Sequence, residues 1–138
     1  MAAKEKPMTR SVLNPAIAIL VSTGGASAWA ATPAELQASY VALSGTAALP
    51  DRGQQLFTNR HGREWSCASC HGVMPTQAGK HASTGKPIAP LAPASNPERL
   101  ADPAKTEKWF RRNCNDVMGR ECSPAEKADV ISWLRTLK

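Results

Sequence analysis

Apolar positions along the chain fall into short, separate patterns. From Pro33 to Ser44, Leu36, Tyr40 and Leu43 recur at helical spacing, and Gly45 follows as a C-cap. Asp51 to about Arg60 predicts a second helix, with Leu56 and Phe57 inward and Gly53 allowing another helix to come close. Ala104 to Val117 is helical again. Ser123-Pro124-Ala125-Glu126 announces the last helix: a capping Ser, Pro in the first position and Glu closing the capping box. Its inward stripe is Val130, Trp133, Leu134 and Leu137. Between Gly72 and Pro103 the pattern lapses into a loop with six prolines. So long a loop is uncommon in a compact domain unless it wraps something. The expectation is an all-α domain of about four to five helices with a long Pro-rich loop.

The first residues follow a different pattern. Lys4, Lys6 and Arg10 precede a short apolar run from Val12 to Val21, and Ala28-Trp29-Ala30 offers small residues where a signal peptidase reads. Gly24-Gly25 argues against a buried core helix here. Residues 1–30 are therefore expected to be a cleavable signal peptide, cut near Ala30, with 31–138 as a single periplasmic domain. The destination is oxidising and permits disulfides.

Composition narrows the classes. A chain of 138 residues supports one domain. No apolar run reaches the roughly 18 to 20 residues needed to span a bilayer. The formal charge is +6, but the basic residues are scattered, which gives nucleic-acid binding little support. Aromatic residues make up only 5% of the chain, so something else must fill part of the core.

Cys67-Ala68-Ser69-Cys70-His71 supplies that filler. It is the CxxCH pattern of covalent haem attachment, and it implies one haem c. Thiols three positions apart reach the two vinyl groups on one porphyrin edge. The adjacent His71 turns its imidazole under the iron as proximal ligand. Its other N–H needs an acceptor, and the Pro-rich loop after Pro87 is the expected source. A zinc site would need two more ligands, and His61 and His81 lack the usual paired spacing. A thioredoxin-like redox pair would sit near a βαβ pattern, which is missing.

The opposite side of the iron has several candidates. Met74 is too near His71 to reach it, Met118 stands shortly before the last helix, and His81 lies in the loop. Trp109, Asn113 and Val117 are four apart and share one helix face, so Asn113 stands mid-stripe where an apolar residue is expected. An Asn bonded to backbone near a helix end would also account for it.

Gly53-Gln54-Gln55-Leu56-Phe57 ahead of the CxxCH, and Asp129-Val130-Ile131-Ser132-Trp133-Leu134, resemble class I cytochromes c. In that fold the first and last helices cross near the haem edge, roles suited to Gly53 and Trp133. The runs from Trp109 to Cys122 and from Thr84 to Pro93 resemble, more narrowly, the sphaeroides haem protein family of that class. The resemblance implies Asn113 as distal ligand of oxidised iron, with Met118 as the alternative. It also implies a Cys114–Cys122 disulfide. The related cytochrome c double-prime uses a His at the ligand position.

An amide oxygen is a weak, hard donor, held by Fe(III) better than by Fe(II). Reduction is then expected to free Asn113 and let ferrous haem bind O2, NO or CO. The expected function is one-electron transfer with transient gas binding rather than enzymatic turnover. The alternatives are a small haem oxidase, peroxidase or NO-oxidising enzyme, and a plain Met118-ligated carrier. The resemblance implies dihaem c-type and membrane b-type cytochromes as redox partners. Arg111, Arg112 and Arg120, with Lys105 and Lys108 nearby, are expected near the distal side. They and Lys86 are candidates for haem propionates or an acidic partner.

Overall fold

The computed structural model describes residues 30–138, so the proposed signal peptide falls almost wholly outside the described residues. Among the described residues there are five helices: α1 (Pro33–Ser44), α2 (Pro50–Thr58), α3 (Cys67–His71), α4 (Pro103–Met118) and α5 (Pro124–Leu134). Two short strands, β1 (Gly79–Lys80) and β2 (Pro87–Ile88), pair antiparallel within the Pro-rich loop. No helix among the described residues is long and apolar enough to cross a membrane.

Proline opens four of the five helices, where its missing N–H costs nothing and its φ is already helical. Thr32 and Glu35 form a reciprocal capping box on α1, and Asp102 caps α4 by accepting from the Lys105 N–H. The Ser123–Glu126 box begins α5 as its sequence predicts. Gly45 and Gly119 end α1 and α4 in the left-handed conformation.

The core forms where α1 and α2 lie against α5. Gly53 is the contact point between α2 and α5: a Cβ there would land on the Asp129 carbonyl. Asp129 also completes the start of α2. Leu49, the α2 N-cap, has no polar side chain, and its N–H is received by Asp129 Oδ1 at 2.7 Å. Arg52 closes the group with Nε 2.8 Å from Asp129 Oδ2. The carboxylate thus sits at the positive end of the α2 dipole, with a cation beside it.

On α1 the buried residues are Leu36 and Tyr40, with Val41 packed alongside. Leu43, expected inward, is 72% exposed. The contact stripe continues from Tyr40 through Val41, and a residue at 43 falls on its outer side. Tyr40 donates to Glu107 Oε2 of α4 at 2.7 Å, and Lys127 Nζ of α5 lies 2.6 Å from Glu107 Oε1. This polar clasp ties α1, α4 and α5 together.

Glu126 carries a pH dependence. The Arg120 guanidinium, followed by the Ser123 backbone N–H, holds its carboxyl down to about 2, from an ordinary 4.5. A carboxyl depressed on folding stabilises the fold above its unfolded value, and that contribution is lost as pH falls toward the folded value. Denaturation midpoints of Glu126→Gln are therefore expected to fall less steeply between pH 4.5 and about 2 than those of the parent. Parallel profiles would contradict the assignment.

Candidate functional site

The site is built on α3, a single turn whose start is fixed by Ser69, its hydroxyl receiving the Ser66 N–H at 3.0 Å. That turn presents Cys67 and Cys70 on successive levels, followed at once by His71. Two contacts hold it from the loop side. Gly79 of β1 packs so tightly that any side chain would strike the Cys70 carbonyl, and the Ala82 N–H donates to Cys70 Sγ at 3.3 Å. From the helix side, Phe57 stands between Trp133, 5.0 Å away centroid to centroid, and the His71 ring at 6.1 Å. The α2–α5 crossing is thereby transmitted to the imidazole.

Two cavities, of about 420 and 470 Å³, adjoin this turn. Cys67, His71, Leu91, Arg99, Trp109 and Asn113 line both. Their volumes fall in the range of sites that enclose a cofactor. Cys67 and Cys70 are unpaired, partly buried thiols. Burial, and to a lesser degree the nearby Cys70, pushes the Cys67 thiol up to about 11. Burial, with the charge of Arg99 second, moves His71 down to about 4. The imidazole is therefore neutral at neutral pH, with a lone pair free for a metal.

His71 makes no hydrogen bond among the described residues. In the Pro-rich loop the Pro90 carbonyl accepts from Asn96 Nδ2 and Arg99 Nε, each at 3.2 Å. Arg99 also donates to the Ala89 carbonyl at 3.3 Å. The next residue, Leu100, adopts a positive φ of 62° and turns the chain along the wall of the smaller cavity. Pro75 anchors the loop from its other end, its carbonyl receiving the N–H groups of Leu91 and Ala92.

Across from α3 runs α4. Its Asn113 amide makes no hydrogen bond among the described residues, so the backbone-bonded alternative does not describe it. The following residue begins the Cys114–Cys122 disulfide, which joins the end of α4 to the approach to α5 with Cα atoms 5.6 Å apart. Met118 and Met74 line neither cavity, and His81 lines only the larger. His81 Nδ1 is engaged by the Ser83 hydroxyl and the Thr84 N–H. Among the described residues no group of three His, Cys, Asp or Glu side chains gathers as a metal site.

The basic residues divide differently from expectation. Arg112 lines the larger cavity and Lys105 the smaller, whereas Arg111, Lys108 and Lys86 line neither. Arg120 is committed to Glu126 at 2.7 Å. Arg99, which sequence reasoning passed over, reaches both cavities. Its isolated position in the loop gives no periodic signal.

Two thiols one turn apart, a neutral imidazole beside them and a largely apolar cavity are the donor set of a haem attached through thioethers. The molecule is in class a helical c-type cytochrome. The family described as a domain of unknown function, DUF1924, matches residues 44–134. Cytochrome c-type protein SHP of Cereibacter sphaeroides is 48% identical over 118 residues, covering 83% of this chain and 91% of that protein. The structure of oxidised SHP, described as an oxygen-binding cytochrome c, matches with a TM-score of 0.73 at 47% identity. It covers 78% of this chain and 98% of the other. The solution structure of cytochrome c'' from Methylophilus methylotrophus matches with a TM-score of 0.64 at 38% identity, covering 75% and 92%. The chain belongs to the family of SHP, and its cofactor is haem c.

Proposed function

We propose that the protein is a periplasmic one-electron carrier whose distal axial position opens on reduction and then accepts a diatomic gas. The observation that carries this reading is the pairing of two unbonded groups. The His71 imidazole and the Asn113 amide both line both cavities, and neither has a hydrogen-bond partner among the described residues.

Cys67 and Cys70 would hold the porphyrin edge as thioethers, and His71 would be the proximal ligand. When bound, the haem supplies an iron that exchanges one electron and takes a small gas wherever an axial position is free. Asn113 would offer a hard amide oxygen, a donor suited to ferric more than to ferrous iron. The Cys114–Cys122 bridge would restrain the chain just beyond Asn113. Closing that loop also restricts the unfolded chain, by about 2.5 kcal/mol on the loop-entropy estimate.

The relatives support a labile distal ligand. SHP is described as oxygen-binding, and the solution structure of cytochrome c'' is described as giving insight into haem-ligand detachment. Export through residues 1–30 and exchange of electrons with dihaem c-type and membrane b-type cytochromes complete the proposal.

Met118→Leu, a near-isosteric change, separates this reading from a Met-ligated carrier. The absorption spectra of the oxidised and reduced variant are expected to match those of the parent. A changed oxidised spectrum would return the distal position to Met118.

A further inference from the structure

Among the described residues five large apolar side chains stand well out in solvent: Leu43, Leu49, Val73, Met74 and Trp109. Trp109 alone of these borders a cavity, and it borders both. It is 40% exposed, so the same residue meets bulk water and both cavities. Trp109 precedes Asn113 by one helical turn and shares its face of α4. Arg112, exposed on the same helix, lays its guanidinium over the Trp109 ring, with Cζ 5.0 Å from the centroid, and itself lines the larger cavity.

From this placement we infer that Trp109 is the gate through which a diatomic gas passes between solvent and the distal space, and that Arg112 is the positioning residue that holds it shut. The inference rests on the proposed function, since it needs Asn113 to vacate its place. The indole is a rigid plate with two rotatable bonds. A cation on its face favours one orientation, and loss of the cation frees the ring to swing outward. This stacking contact is the latch. Its strength sets how often the route opens.

Laser photolysis of the CO complex of the reduced holoprotein tests the inference. Trp109→Ala is expected to raise the bimolecular CO association rate by about tenfold and to let a larger fraction of photolysed CO escape. Arg112→Ala, a change at an exposed position, is expected to raise the rate in the same direction by about threefold, and Arg112→Lys to return it toward the parent, because an ammonium also binds an indole face. Hydrogen exchange of the Trp109 indole N–H in the reduced, CO-bound protein is expected to quicken in Arg112→Ala and not in Arg112→Lys. If the parent binds CO while the variants keep its rates and its indole exchange, the gate is overturned and the proposed function stands. If the reduced parent binds no CO, the proposed function falls and takes the gate with it.

Discussion

Gly53→Ala is expected to cost about 3 kcal/mol of stability, at the upper end for overpacking a well-filled core. The new methyl group would meet the Asp129 carbonyl and, behind it, the Val130 N–H, both main-chain groups of α5 that no rotamer change can move. The helices must separate, and separation disturbs the bonds from Leu49 and Arg52 to Asp129. It also loosens Phe57 between Trp133 and His71. Helix propensity works the other way, since Ala is better than Gly inside a helix by about 1 kcal/mol. The net sign therefore reports whether the crossing is as tight as the structure has it. Denaturant unfolding of the haem-loaded protein measures it, with Gln54→Ala, at the exposed neighbouring position, expected within about 0.5 kcal/mol of the parent. A Gly53→Ala protein as stable as the parent would contradict the close approach.

Asn113→Ala is expected to act on one oxidation state only. The oxidised spectrum should move from low-spin to high-spin, because the amide oxygen is gone, while the reduced spectrum should stay as it is. A ligand that prefers Fe(III) lowers the midpoint potential, so its removal should raise it. Each tenfold of lost preference corresponds to about 59 mV for a one-electron couple. The disulfide begins at the next residue and Val117 is buried one turn on, so the helix itself is expected to survive the change. An oxidised spectrum unchanged in Asn113→Ala, or a midpoint that falls, would remove Asn113 from the iron.

Much of this architecture is written locally. Pro124 behind Ser123, with Glu126 two residues on, marks the α5 start from three side chains alone, and the Pro33–Ser44 helix has the bounds that its apolar spacing and Gly45 predict. The attachment motif is equally local, because its chemistry needs two thiols and an imidazole within one turn. Gly53 was legible as a close contact, and the resemblance implied the last helix as its partner.

The features that escaped depend on distant residues. Asp129 serves the N-terminus of a helix eighty residues away in sequence, and nothing in either segment announces the bond. Leu43 looks inward by periodicity and is not, because the covered face of α1 is decided by where α5 runs. Arg99 sits in a stretch without period, and its place beside both cavities follows from the carbonyls of Ala89 and Pro90 that it gathers. The short hairpin of Gly79–Lys80 with Pro87–Ile88 is likewise too brief for an alternation pattern.

The proposed function requires reduction to open the side of the iron facing Asn113. One sample, expressed with c-type haem maturation, tests it through spectra taken oxidised, reduced with dithionite, and reduced under CO. Low-spin iron is expected in the oxidised sample, high-spin iron in the reduced one, and a rapid return to low-spin as CO binds. A reduced spectrum that remains low-spin and takes up CO only slowly would contradict it.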